Sequence, residues 1–354
     1  MRKNNLSVPC GQACKGLAIL MMVAFHLFRP SSGQVVLLST FSSAFSTMIG
    51  PLCQLCVGIY AFFTGMTYYR HQDKSLYYSL QKIATLLTAY WVIVALFWIL
   101  ALLLNAAPLS ASLFLNDLFP WQHAGMMCFT WYIRFYCVMM LAFPLIGLTE
   151  AYFGTKRWGS MAVLSVFLIL FILGRLIPVL GDLYFWFPIS FSGYLAARFH
   201  LPEHVSAFII DHIPYRFAPS LIGLLLIITS MWLWPNLRFD VLFRAINMLS
   251  KCTTSGLFIL GVMLFFPFLQ QIRLDGLICL FGKYSLGIWF THGLFFSPWT
   301  SSFFQPFFWI DDSPAWLFAV TFGVSFLVAW LLSPVQKWLT QHVVDKIFAR
   351  MKRS

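Results

Sequence analysis

Apolar runs of close to 20 residues recur along the whole length of this sequence. A helix of that length spans the roughly 30 Å hydrocarbon core of a bilayer. Only 10% of the residues are charged, whereas soluble domains carry about 25% charged residues. The sequence therefore predicts an all-α polytopic membrane protein.

The apolar runs predict about ten transmembrane helices, packed in one bundle that forms a single integral-membrane domain over residues 1–354. The sixth predicted span is short and contains Pro188. Between the third and fourth spans, residues 106–124 predict a small interfacial or re-entrant helix. The predicted spans are 12–30, 45–67, 83–105, 125–148, 159–178, 183–199, 217–234, 253–270, 278–297 and 314–333.

The basic residues flank the apolar runs instead of forming one stripe, although the net charge is +12. When the N-terminus is placed inside the cell, most of the 23 Lys and Arg residues fall in cytoplasmic segments. This bias predicts that both termini are cytoplasmic. It also favours membrane lipid over nucleic acid as the partner of the positive charge.

Two ionisable side chains share one face of the first predicted span. Lys15 and His26 are eleven residues apart, close to three helical turns, and roughly 16 Å apart along the axis. Arg70 ends the second span and Lys82 begins the third, so both are expected at the same inner surface. The pattern predicts an anion site open to the cytoplasm, with a proton-transfer group at the end of a channel. The alternative is ordinary topology-setting charge at helix ends.

Two further predicted spans carry polar and ionisable side chains, which are energetically costly to place inside a membrane. In "GKYSLGIWFTH", Ser285 and His292 share a helix face, and His292 is expected at a depth like that of the first histidine. In "TWYIRFY", Arg134 is expected below Trp131 and Tyr132. Together they predict a polar cavity. The alternatives are a packed core histidine and an aromatic belt at the membrane interface.

The sequence offers little support for other chemistry. Cys53 and Cys56 form a CxxC, but no third or fourth ligand is nearby, so we expect no metal. There is no dinucleotide fingerprint, P-loop, HExxH or GxSxG motif. Paired membrane carboxylates, which an ion-coupled carrier needs, are scarce.

Five short motifs resemble, in the same order, those of the membrane-bound acyltransferase family 3, bacterial proteins that O-acylate cell-surface glycans. They are Lys15-x10-His26 for the family's Arg-x10-His, "AFFTGM" at 61–66 for FFxxSG, Lys82 and Thr85 for RxxR, "WYI" at 131–133 for Trp-Phe/Tyr, and "GKYSLGIWFTH" at 282–292 for G-x-x-S…H.

The resemblance implies a bacterial inner-membrane, multi-pass enzyme that uses acetyl-coenzyme A or another acyl-coenzyme A as its donor. Lys15, Lys82 and Arg70 would hold the phosphates of the donor at the cytoplasmic side. His26 would act as general base toward an acceptor hydroxyl, or would carry the acyl group transiently. No metal is implied.

The resemblance also implies an acceptor, a sugar of an extracytoplasmic or lipid-linked glycan. It would enter near Trp131, Tyr132 and Arg134, and Ser285 and His292 would line the same cavity. Proteins of glycan assembly are the expected partners, and the sequence leaves the oligomeric state open.

The chain departs from the family pattern at three positions. Lys15 and Lys82 stand where the family has arginine, and Thr85 stands where it has the second arginine of RxxR. Lysine binds phosphate as a point charge but cannot make the bidentate fork of arginine. These departures keep a second hypothesis open, a non-catalytic membrane transporter or scaffold for surface-glycan export.

Overall fold

The chain is helical throughout the part that the computed structural model describes. That part comprises residues 7–28, 44–71, 74–104, 110–119, 131–153, 159–177, 181–213, 215, 217–236, 244–296 and 313–351. Within these ranges there is no β-strand, which confirms the all-α prediction.

The helices are numbered in chain order, with a first group up to Phe185 and a second group from Phe187 onward. The first group is α1 (Val8–Phe28), α2 (Ala44–Cys53), α3 (Leu55–Arg70), α4 (Leu76–Leu103), α5 (Ala111–Leu118), α6 (Trp131–Phe153), α7 (Gly159–Leu176) and α8 (Gly181–Phe185). The second group is α9 (Phe187–Arg198), α10 (Leu201–His212), α11 (Ala218–Asn236), α12 (Arg244–Gln271), α13 (Asp275–Lys283), α14 (Ser285–Thr291), a 3₁₀ segment (His292–Phe295), α15 (Pro314–Leu339), a π segment (Thr340–Val344) and α16 (Asp345–Met351).

Within the described residues, eight helical segments are long and apolar enough to cross a membrane. They correspond to eight of the ten predicted spans. The sixth predicted span is divided into α8 and α9, and Pro188 lies in the first turn of α9, where proline is tolerated because its missing N–H needs no partner. The ninth is divided at Tyr284 into α13, α14 and the 3₁₀ segment. The predicted small helix within 106–124 is present as α5.

The helices form two compact units. Unit 1 contains α1, α2, α3 and α8 to α13. Unit 2 contains α4, α5, α6, most of α7, α14 after its first residue, the 3₁₀ segment, and everything described from α15 to α16.

Close backbone contacts through glycine hold unit 1 together. A Cβ on Gly16 of α1 would lie 2.1 Å from the carbonyl oxygen of Ile278, and one on Gly282 of α13 would lie 1.9 Å from that of Gln12. The same arrangement joins α3 to α9 at Gly65 and Gly193, and α11 to α12 at Gly223 and Gly261. Small residues let membrane helices approach this closely because lipid supplies no hydrophobic drive for helix association.

Unit 2 relies more on polar and aromatic contacts. Tyr90 of α4 donates to the carbonyl oxygen of Asp117 at 2.5 Å, and Trp98 donates to the Asp117 carboxylate at 3.0 Å, which fixes α5 against α4. Gln81 of α4 donates to Asp345 at 3.0 Å, which fixes α16 against the start of α4.

The glycine contact between α1 and α13 gives a stability prediction. We expect Gly282→Ala to lower the unfolding free energy by about 1–3 kcal/mol or more, because its methyl group would overlap the Gln12 carbonyl. Gly276→Ala, in the same helix, has nothing within 4 Å of its new Cβ and should be neutral or slightly stabilising. Thermal unfolding of the purified variants in detergent measures both, and equal unfolding temperatures would contradict the packing described.

Candidate functional site

The predicted base, His26, lies near the end of α1. From Met21 to Phe28 every residue of α1 is buried except His26, which is half-buried. Its ring packs edge-on against Phe25 with the centroids 5.0 Å apart. Because the neighbouring positions are enclosed by protein, this imidazole is the group on the last two turns of α1 that remains reachable.

Lys15 is also half-buried, between the buried residues Cys14 and Gly16. The backbone around it is held from two sides. The Tyr60 hydroxyl of α3 donates to the Lys15 carbonyl oxygen at 3.2 Å, and α13 lies in backbone contact with Gly16. The direction in which the ammonium leaves the helix is therefore set by the packing of α3 and α13 on α1.

Arg70, the third cation expected at the donor side, is paired with a carboxylate. It lies at the end of α3 and forms an ion pair with Glu203 in the first turn of α10. Only 10% of the Glu203 side chain is exposed, and its Oε2 has no hydrogen-bond partner among the described residues. A buried carboxylate needs a nearby positive charge. The Arg70 guanidinium is therefore already paired with Glu203, and any ligand that it binds would share it with this carboxylate.

Lys82 lies in unit 2, in the second turn of α4, and is exposed. Its ammonium is 5.4 Å from the centroid of the Tyr78 ring, within the range of a cation–π contact. Thr85, one turn further, donates its hydroxyl to the Gln81 carbonyl at 2.9 Å. Its hydroxyl is thus used within its own helix, and Thr85 adds no positive charge at the position where the family pattern has arginine.

An aromatic cluster in unit 2 contains two of the residues predicted to line the acceptor cavity. Trp131 and Tyr132 begin α6, with ring centroids 5.8 Å apart. Tyr132 is buried and meets the Trp289 ring of α14 edge-on, 5.3 Å between centroids at 88°. Trp289 was not predicted, and it connects α6 to the helix that precedes His292.

His292 is fully buried at the start of the 3₁₀ segment. Its Nδ1 is hydrogen-bonded to the carbonyl oxygen of Trp289, and its ring packs edge-on against Phe296 at 5.8 Å. A carbonyl oxygen only accepts, so Nδ1 carries a proton and donates it to this bond. Through Trp289, His292 and Tyr132 belong to one cluster.

The remaining predicted residues are placed as follows. Arg134 is half-buried on α6. Ser285 is buried at the start of α14. Of the predicted set, unit 1 holds Lys15, His26, Arg70 and Ser285, and unit 2 holds Lys82, Trp131, Tyr132, Arg134 and His292.

The structure adds Glu203, which sequence reasoning missed. Two signals could have indicated it. Acidic residues are rare in this chain, with 11 Asp and Glu in 354 residues, and Glu203 follows the sixth predicted span on the side where Arg70 is expected. In a chain with so few acidic residues, a carboxylate and an arginine that are expected on the same side of the membrane are a candidate ion pair.

These features define a class of protein. It is a helical membrane protein with several membrane-spanning segments, and it keeps basic and imidazole side chains on and around those segments. Ionisable groups at such positions are costly and mark functional sites by default. The class is a helical, multi-pass membrane protein.

The family follows from a comparison of the sequence with family models. The model described as an acyltransferase domain, that of acyltransferase family 3, matches residues 12–334. The chain therefore belongs to this family, and it is a multi-pass membrane protein of the acyltransferase class. No curated protein and no solved structure matches the chain.

The Arg70–Glu203 pair gives a second prediction. In a double-mutant cycle with Arg70→Ala and Glu203→Ala, we expect a coupling of about 1–3 kcal/mol, because removing either partner leaves a poorly solvated charge. The Lys74–Glu150 pair is the comparison, and we expect a smaller coupling there, because its contact is longer, at 3.4 Å, and its carboxylate is more exposed, 17% against 10%. Thermal unfolding of both sets of variants measures the two couplings. A larger coupling for the comparison pair would contradict the assignment.

Proposed function

We propose that this protein transfers an acyl group, in the simplest case acetyl, from cytoplasmic acyl-coenzyme A to a hydroxyl of an extracytoplasmic or lipid-linked sugar. The observation that carries the proposal is the half-buried His26 on the same helix as the half-buried Lys15, in a chain that belongs to an acyltransferase family. An elongated donor with a charged head needs a cation and a base that lie well apart.

In the proposed reaction, an acceptor hydroxyl attacks the carbonyl carbon of the thioester and gives its proton to the neutral His26 ring. The carbon–sulfur bond then breaks, the sulfur leaves as the thiolate of coenzyme A, and the imidazolium returns the proton to it. In the variant with a covalent step, the imidazole attacks the thioester first and the acceptor then takes the acyl group from it. Both routes need an imidazole that substrates can reach.

The phosphates of the donor would be held chiefly by Lys15 and Lys82. Lys15 supplies a point charge beside the crossing of α1 and α13, and Lys82 supplies an exposed charge beside Tyr78. Arg70 stays in the proposal as a rim cation whose charge is shared with Glu203. Acyl-coenzyme A is a co-substrate here, and the proposed chemistry requires no metal.

The acceptor would bind from the outer side, where Trp131, Tyr132 and Arg134 begin α6. Aromatic rings offer flat apolar surfaces to a sugar ring, and their polar edges accept or donate hydrogen bonds. Ser285 and His292 would complete that cavity. The proposal places the protein in a bacterial inner membrane with both termini in the cytoplasm, next to proteins that assemble glycans.

The role of His26 gives the third prediction. We expect His26→Ala to lower acyl transfer by about 10²–10⁴-fold, the usual contribution of a positioned base, while the protein still inserts into the membrane and folds. The measurement is release of coenzyme A from acetyl-coenzyme A in the presence of sugar acceptors, together with thermal unfolding.

The matched control is His342→Ala. His342 is exposed, and its ring stacks on Trp338 with the centroids 5.1 Å apart. This variant should keep the activity of the wild type. A fully active His26→Ala protein would refute the assignment of the base.

Donor binding gives the fourth prediction. We expect the double variant Lys15→Ala, Lys82→Ala to bind acetyl-coenzyme A at least about tenfold more weakly, since each lost charge-assisted hydrogen bond costs about 1.5–3 kcal/mol. Isothermal titration in neutral lipid nanodiscs measures the affinity. Lys337→Ala, which removes an exposed cation of α15, is the control, and equal affinities in all three proteins would contradict the donor site.

A specific observation favours the second hypothesis, a non-catalytic transporter or scaffold for surface-glycan export. Thr85 replaces an expected cation and uses its hydroxyl within its own helix, and Arg70 is occupied by Glu203. Both features reduce the charge available to a phosphate group. The titration above separates the two hypotheses, because the scaffold requires no binding of coenzyme A by the wild type.

A further inference from the structure

Four polar residues lie together in the interior of unit 2. Thr291 and His292 are at the junction of α14 and the 3₁₀ segment, and Thr321 and Ser325 are one turn apart on α15. All four have no solvent-exposed surface. Such a concentration of polar groups in a membrane interior is costly unless the groups serve one another or a ligand.

The register between the two helices places these residues on facing surfaces. Gly287 lies opposite Ala329, and the Thr291 hydroxyl is shared between two carbonyl oxygens, that of Gly287 in its own helix at 2.8 Å and that of Ser325 at 2.9 Å. The helices are therefore antiparallel at this contact. The preceding turn of α15 brings Thr321 beside the 3₁₀ segment, whose first residue is His292, and α15 packs against that segment.

The hydroxyl groups of Thr321 and Ser325 are the unusual members of this group. Neither oxygen has a hydrogen-bond partner within the part of the chain that the structure describes. Other helical threonines bond to a carbonyl of their own helix, as Thr88, Thr149 and Thr253 do at 2.7–2.9 Å. A buried hydroxyl without a partner costs about 1–3 kcal/mol. Two of them on one helix face are a sign of a ligand that supplies the partners.

The chemistry of the surroundings restricts what that ligand is. The hydroxyls of Thr321 and Ser325 can each donate and accept a hydrogen bond, and neither group is an ion. The aromatic rings of Trp289 and Tyr132 adjoin the same junction through the His292–Trp289 hydrogen bond. Neutral hydrogen-bonding groups beside aromatic faces match an uncharged ligand that carries several hydroxyls, not a phosphate.

The 3₁₀ segment lies directly beside these buried groups and packs on α15. A 3₁₀ turn has poorer hydrogen-bond geometry than an α-helix, so its own hydrogen bonds hold it less firmly. His292–Phe295 forms such a turn, with Gly293 as its second residue. Movement of this turn away from α15 would expose Thr321 and the edge of His292 without breaking the Thr291–Ser325 contact.

We propose that Thr321 and Ser325 form the hydroxyl-binding subsite of the sugar acceptor, opened by movement of the 3₁₀ segment. The subsite deepens the proposed function and rests on it for the identity of the ligand as the acceptor. The two side chains hold the sugar and take no part in bond breaking.

The test uses Thr321→Val, Ser325→Ala and the double variant in lipid nanodiscs, with methyl glucoside and methyl N-acetylglucosaminide as probes. Thr149→Val is the matched control, because its hydroxyl bonds to the Leu145 carbonyl of its own helix at 2.7 Å. Without sugar, we expect the Thr321 and Ser325 variants to be at least as stable as the wild type, because they remove unpaired buried hydroxyls. Thermal unfolding with and without each glycoside then measures binding.

We expect at least one glycoside to stabilise the wild type and Thr149→Val equally, and each single subsite variant to bind it about 3–10-fold more weakly, with a larger loss in the double variant. The KM for the glycoside as acceptor should rise in parallel while the KM for acetyl-coenzyme A stays unchanged. The subsite is refuted if neither glycoside stabilises the wild type, or if a glycoside stabilises the double variant as much as the wild type. Failure of the proposed function is read separately, as absence of acetyl-coenzyme A-dependent transfer by the wild type.

Discussion

The hydrocarbon core of the bilayer offers no hydrogen bonds, so every polar group placed there must be satisfied by protein or by a ligand. The chain meets this constraint in most places by ordinary means, such as serine and threonine hydroxyls that bond to carbonyls of their own helices. Two hydroxyls on one face of α15, those of Thr321 and Ser325, do not follow this pattern, because neither has a hydrogen-bond partner within the described residues.

Glycine contacts between helices fix the orientation of the helix that carries two of the candidate site residues. α1 carries both Lys15 and His26, and its orientation is set where Gly16 and Gly282 bring α1 and α13 into backbone contact. A helix held at backbone distance has little freedom to rotate, because neighbouring side chains interdigitate on both sides of the contact. The directions in which the ammonium and the imidazole leave α1 are therefore consequences of residues that have no functional group at all.

Much of the fold could be predicted from the sequence, because apolar run length is a local property. Eight of the ten predicted spans correspond to long helices, and the small helix near 111–118 was anticipated. The two exceptions are apolar runs divided at a turn, one before Pro188 and one at Tyr284, since run length alone does not show where a helix is interrupted.

The site could be predicted only as a set of residue types. The partners of those residues depend on contacts between distant parts of the chain. Glu203 lies far along the chain from Arg70, and the unpaired state of Thr321 and Ser325 follows from the register of α15 against α14. No local pattern encodes either fact. Lys15 and His26 were predictable as a pair because one helix fixes their spacing.

The two histidines differ in a way that separates their proposed roles. A group that exchanges protons with substrates must be reachable and must be free to change its protonation state, and the half-buried His26 meets the first condition. His292 is fully buried and its Nδ1 donates to a backbone carbonyl, so the orientation of its ring is set by the fold. A ring fixed in this way is poorly suited to exchanging protons with a substrate and better suited to shaping a cavity. In the proposed mechanism, the reachable His26 would therefore move the proton, while the fixed His292 would line the acceptor cavity.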